Sequence, residues 1–282
     1  MIIKQIAVLG AGTMGRGIAE TAALAGYSVL SVEINPGQRE AAAKAIRASV
    51  EKGIQKGKLK VASADEVLNR ITWEADLSAA AKADFVIEAI TENEAVKTDI
   101  LQQLDRICGP HIILATNTSS ISITRLAAAT KRPEMVIGMH FFNPVPIMAP
   151  VEIVRGLVTS IATIDVTKEL AEKMGKQAFV VQDHPGFVVN RILMPLINEA
   201  IFALQEGVGD ATAIDSLTKL GLNHPMGPLQ LADLIGLDVC LSVMRVLHKE
   251  LGDQKFHPCP LLIRMVDAGQ LGRKTGKGFY QY

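Results

Sequence analysis

The sequence predicts an α/β domain built on a mostly parallel sheet, followed by an all-α domain. Two observations carry that prediction. Up to about position 183, short β-branched runs alternate with stretches of helical periodicity, as in strands joined by crossover helices. After Asp183-His184-Pro185-Gly186 the β signal stops and only helical spacing continues. The expected boundary gives one domain at 1–184 and a second at 185–282.

In the first domain the expected strands are Ile6 to Leu9, Ser28 to Glu33, Phe85 to Ile90, Ile112 to Thr116, Val136 to His140, Val151 to Val154 and Ala178 to Gln182. Between them, Val96, Ile100, Leu101, Leu104 and Ile107 recur at helical spacing and should lay one apolar stripe on the sheet. Gln38 to Lys60 also reads as helix, long for a crossover and rich in Lys. In the second domain the expected helices are Phe187 to Gln205, Ala211 to Leu220, Gln230 to Glu250 and Pro260 to Ala268. The third carries Leu231, Leu234, Ile235, Leu237, Val239, Leu241, Val243, Met244 and Leu247, apolar on nearly every side. Such a helix must be buried, either within its own bundle or against a second copy in a homodimer.

The composition narrows the function. The 282 residues are 49% hydrophobic, enough for a substantial core, and 29 basic residues balance 29 acidic ones. Zero net charge supplies no overall field for nucleic acid or an anionic membrane. Cys108, Cys240 and Cys259 are widely spaced and form no C-x-x-C pair, which argues against disulfides and zinc and fits a reducing cytoplasm. The first strand begins within a few residues of position 1, so no secretory signal is expected, nor is any metal site. No apolar stretch reaches the about 18 residues of a membrane span.

Gly10-Ala11-Gly12-Thr13-Met14-Gly15 follows the first strand and opens a helix. The first glycine permits the tight turn, the second the approach of a pyrophosphate, the third close packing of helix on strand. The helix N-terminus adds free N–H groups for the phosphates. With Glu33 at the end of the second strand, this is the signature of a Rossmann-type dinucleotide fold. A carboxylate there suits the ribose hydroxyls and repels a 2′-phosphate, so NAD is expected rather than NADP. Arg39 lies too far along the next helix to clamp a phosphate.

Two further strand ends are polar: Asn117-Thr118-Ser119-Ser120 and His140-Phe141-Phe142-Asn143-Pro144. In an open α/β sheet, ligands bind outside the carboxyl ends of the strands. Prolines 144, 146 and 150 break the chain, and the strand from Val151 can return to bring Glu152 to His140. A carboxylate on one imidazole nitrogen would fix the tautomer and leave the other to take a proton. A histidine at a strand end is also commonly structural, Ser119 and Ser120 equally suit helix capping, and Asn190 equally suits a buried hydrogen-bonded Asn.

These motifs, with Pro185-Gly186-Phe187-Val188-Val189-Asn190-Arg191 and the closing Gly272-Arg273-Lys274-Thr275-Gly276-Lys277-Gly278-Phe279-Tyr280, resemble the 3-hydroxyacyl-CoA dehydrogenases over essentially the whole chain. Ala149-Pro150 departs from the usual Lys-Leu of that family. The resemblance implies NAD-dependent oxidation of an (S)-3-hydroxyacyl-CoA, with 3-hydroxybutyryl-CoA as a short-chain substrate, and a dimer joined through the helical domains. It implies His140 as base, Glu152 as its orienting carboxylate, and Ser119 and Asn190 as substrate hydrogen-bonders. It also implies that Glu92, Lys97, Asn117, Ser119 and Asn143 line the nicotinamide cleft, with Asn143 near the substrate as well. Lys52 and Lys56, on one helix face, would meet coenzyme A phosphates, although a Lys-rich face is also commonly just solvated. Two rivals are a dehydrogenase of free 3-hydroxy acids, expected to use a catalytic lysine in its helical domain, and a non-catalytic NAD(H)-binding sensor or structural protein.

Overall fold

The computed structural model describes residues 2–282, which divide into two compact units, one ending at Asp183 and one running His184–Tyr282. In the first, eight strands form one sheet: β1 (Gln5–Leu9), β2 (Ser28–Val32), β3 (Ile71–Glu74), β4 (Phe85–Glu88), β5 (Ile113–Thr116), β6 (Val136–Phe141), β7 (Pro150–Arg155) and β8 (Gln177–Gln182). Their order is β3-β2-β1-β4-β5-β6-β7-β8, and every neighbouring pair is parallel except β6 and β7. This is the mostly parallel α/β sheet that the alternating pattern predicts. The central strands are apolar on both faces because helices cover both, and Ile6, Ala7 and Val8 are fully buried.

Around the sheet lie α1 (Thr13–Leu24), α2 (Pro36–Gln55), α3 (Ala64–Leu68), α4 (Glu94–Ile107), α5 (Ile123–Ala128) and α6 (Ile161–Lys173). Asn35 caps α2 by accepting from the Gln38 amide, with Pro36 just inside the helix. The helix expected to reach Lys60 stops at Gln55, because Gly57 takes a left-handed φ of 65°. Strand β3 was not expected: in Ile71-Thr72-Trp73-Glu74 only Ile71 is buried, so this four-residue edge strand has little apolar alternation to show.

The second unit contains α7 (Val189–Gln205), α8 (Ala211–Gly221), α9 (Pro228–Ile235), α10 (Leu237–Leu251) and α11 (Pro260–Asp267). The single helix expected from Gln230 to Glu250 is two, broken at Gly236, whose φ of 105° no right-handed helix accommodates. The break also changes the all-round apolar pattern. In α10, Leu237, Cys240, Leu241, Met244 and Leu247 form one buried stripe, while Ser242, Arg245 and Lys249 are exposed. Leu234 and Val239 stay exposed. The C-terminal glycine motif wraps the buried carboxylate of Asp233, which accepts the amides of Phe279 and Tyr280 at 3.0 Å each.

Candidate active site

Between β1 and α1 the glycine loop turns through Gly10, at a φ of 88°. A Cβ on Gly15 would lie 1.9 Å from the Gly10 carbonyl oxygen, so helix and loop can meet only without one. At Gly12 a Cβ would meet no atom within 4 Å, so the space above the loop is open to a ligand. Thr13, Met14 and Gly15 form the first turn of α1, with its N–H groups at this opening. Beside it, Glu33 accepts the amides of Ala11 at 3.1 Å and Asn35 at 2.9 Å. Arg39, expected to lie too far along α2, reaches back instead and donates to the backbone carbonyl of Glu33 at 2.5 Å, so its guanidinium is engaged by the strand end. Glycines, helix start and carboxylate thus fit a dinucleotide lacking a 2′-phosphate.

Further along the same strand ends, antiparallel pairing of β6 with β7 sets His140 directly opposite Glu152. Nδ1 of His140 lies 2.7 Å from Oε2 of Glu152, and both side chains are buried. The Phe142 ring packs on the imidazole at a centroid distance of 4.8 Å. Low accessibility strengthens this pair by removing competing water. Asn117 ties the end of β5 to this region, since its Oδ1 accepts the Phe141 amide at 3.0 Å.

Ser119 lies on the loop after β5. Oε1 of Glu92 gathers that loop by accepting the Thr118 hydroxyl at 2.7 Å, the Ser119 amide at 2.8 Å and the Ser119 hydroxyl at 3.0 Å. Glu92 and Ser119 are therefore together, and the fully buried Lys97 joins them, its Nζ 3.7 Å from Oε2 of Glu92. Asn143 is exposed in the loop after β6, which Lys176 anchors by donating to the carbonyls of Val145 and Met148, the latter at 2.9 Å. The unusual Pro150 opens β7, and the carbonyl of Ala149 accepts the Gln177 amide at 2.9 Å, so Ala149-Pro150 is compatible with the strand. Lys52 and Lys56 are exposed at the C-terminal end of α2, and Asn190 stands on the first turn of α7 in the second unit.

Two residues of this region were not expected from sequence. Glu88 ends β4 and Thr116 ends β5, both fully buried. The available signal was an acid inside an otherwise apolar strand, nine positions before a lysine. Among the described residues, no group of three or more His, Cys, Asp or Glu side chains could hold a metal ion, and no helix is long and apolar enough to cross a membrane.

The geometry agrees with comparisons to known proteins. Residues 5–184 match the 3-hydroxyacyl-CoA dehydrogenase NAD binding domain, and residues 186–282 match the C-terminal domain of the same enzymes. A probable 3-hydroxybutyryl-CoA dehydrogenase of Bacillus subtilis is 56% identical over 282 residues, covering 100% of this chain and 98% of that protein. The 3-hydroxybutyryl-CoA dehydrogenase of Bradyrhizobium diazoefficiens is 50% identical, covering 100% of this chain and 96% of the other. The crystal structure of (S)-3-hydroxybutyryl-CoA dehydrogenase from Ralstonia eutropha superposes with a TM-score of 0.96 at 48% identity, covering 100% of this chain and 99% of that one. With both domains of the family matched in order and relatives alike over their full length, the chain belongs to the 3-hydroxyacyl-CoA dehydrogenase family.

Proposed function

We propose that this protein oxidises the 3-hydroxyl of (S)-3-hydroxybutyryl-CoA to a 3-oxoacyl thioester with NAD, and runs the reverse reduction of acetoacetyl-CoA. The observation that carries this reading is the buried His140–Glu152 pair at the strand ends of a sheet whose glycine loop fits NAD. The glycine loop and Glu33 would hold NAD, whose nicotinamide would supply the hydride acceptor for C3 of the substrate. His140 takes the hydroxyl proton on Nε2, the nitrogen away from Glu152, and returns it in the reverse reaction. Glu152 holds the ring in that tautomer and stabilises the imidazolium that forms. Ser119 and Asn190 hydrogen-bond the substrate, Asn117 and Asn143 line the nicotinamide side, and Lys52 and Lys56 meet the coenzyme A phosphates.

The helical unit serves as substrate and dimerisation domain. Its exposed Leu217, Leu220, Leu222, Leu234 and Val239 supply apolar surface for a second copy. The buried free thiols of Cys108, Cys240 and Cys259 suit a reducing, cytoplasmic setting. The deciding experiment follows NADH absorbance with acetoacetyl-CoA. NADH consumption with the thioester, and much less with NADPH or with free acetoacetate, is the expected result. Turnover of the free acid alone, or none at all, would overturn the proposal.

A further inference from the structure

A fully buried ion pair lies below the Ser119 loop in the first unit. Glu88 and Lys97 are both fully buried, with Nζ of Lys97 2.7 Å from Oε1 of Glu88. Both oxygens of Glu88 are engaged. Oε1 also accepts the Ile90 amide at 2.7 Å, and Oε2 accepts the Thr116 hydroxyl at 2.5 Å. The same ammonium lies 3.7 Å from Oε2 of Glu92, a side chain 39% exposed. The other oxygen of Glu92 receives the three donors from Thr118 and Ser119.

A buried ion pair is not by itself a gain in stability, because the desolvation of two charges offsets their attraction and an apolar pair of similar shape often does as well. An ammonium shared by two carboxylates does something an apolar pair cannot. It attracts one oxygen of the half-exposed Glu92 inward and so turns the other toward the loop. Glu88 is the fixed end of this chain, held by the backbone of its own strand end and by a hydroxyl on the neighbouring strand.

We propose that Glu88 and Lys97 are positioning residues: Glu88 clamps the Lys97 ammonium, and Lys97 aims the Glu92 carboxylate that holds Ser119 in place. The role given to Ser119 in turnover rests on the proposed function above, whereas the holding of the loop does not.

The test compares wild type with the double variant Glu88→Gln/Lys97→Met. Either single change strands a buried charge and destabilises the fold, but the pair removes both charges at similar volume. A merely structural ion pair would let the double variant recover fully. With Lys97 aiming Glu92, the double variant melts near wild type, yet the Ser119 amide exchanges with solvent about tenfold faster, the worth of one hydrogen bond to a charged acceptor. The KM for acetoacetyl-CoA also rises, and adding Ser119→Ala changes it little further, because both changes act on one unit. Should the double variant not fold, Thr116→Val keeps both charges and loosens Glu88. It should speed the same exchange in a smaller degree, with Thr116→Ser restoring it. Wild-type exchange at Ser119 in whichever variant folds overturns the proposal. The exchange measurement needs no turnover, so an enzyme inactive on acetoacetyl-CoA would sink the functional reading while leaving this one measurable.

Discussion

Nδ1 of His140 meets Oε2 of Glu152 at 2.7 Å because the two residues are register partners across the sole antiparallel pairing among the described strands. Replacing His140 with Gln removes the proton acceptor, and general base catalysis is worth about 10² to 10⁴ in rate, so kcat should fall by that order while NADH still binds. Glu152→Gln can hold the ring but cannot stabilise an imidazolium, so kcat should fall and its pH profile should shift. Near-normal kcat in both folded variants would make the pair structural.

The glycine loop separates fold from ligand. Gly15→Ala sets a Cβ against the Gly10 carbonyl and should destabilise the protein, whereas Gly12→Ala points into open space. Gly12→Ala should melt near wild type yet bind NADH about tenfold more weakly or worse, a loss of roughly 1.4 kcal/mol. Thermal melts with NADH fluorescence titration check both, and wild-type affinity in Gly12→Ala would contradict the assignment of the loop.

Lys52 and Lys56 project into solvent at the end of α2, where cations also suit the helix dipole. If they meet coenzyme A phosphates, changing both to Ala should raise the KM for acetoacetyl-CoA and leave that for NADH unchanged. An unchanged thioester KM would leave them as a solvated, dipole-complementing face.

Burial pushes the carboxyl of Glu20, on α1, up from 4.5 to about 7, although the Ser49 hydroxyl, Arg16 and Lys176 act the other way. The folded protein therefore holds this proton more tightly than the unfolded chain. The stabilisation is full below about pH 4.5, declines as pH rises toward 7 and is lost above it. Glu20→Gln keeps an acceptor for Ser49 and should flatten this part of the pH dependence, adding at most roughly 3 kcal/mol above pH 7. Denaturant melts of both proteins across that range provide the measurement, and parallel curves would refute the assignment.

The exposed leucines of the helical unit lead to a fifth expectation, a homodimer at micromolar concentration by sedimentation. Leu220→Lys or Leu234→Lys should shift it toward monomer, and a wild-type monomer would remove the proposal.

Local order alone made much of this protein legible. Short β-branched runs marked seven of the eight strands, and helical spacing marked α1, α2, α4 and the helical stretches of the second unit, because burial decides directly which residues must be apolar; α3, α5 and α6 were not marked. The glycine loop with Glu33, and the His140–Glu152 pair on adjacent strands, were readable because short connections limit where a strand can return. Tertiary structure decided what depends on partners distant in sequence. Strand β3 exists because β2 offers it an edge, although only Ile71 is buried there. Gly236 splits an apolar run whose composition reads as one helix, since a positive φ leaves little trace in side-chain pattern. Lys97 sits fully buried because its partner Glu88 on one strand and Thr116 on the next meet only once the sheet has formed. A buried charge is settled by the partners the fold delivers to it, and those are not written in its neighbours along the chain.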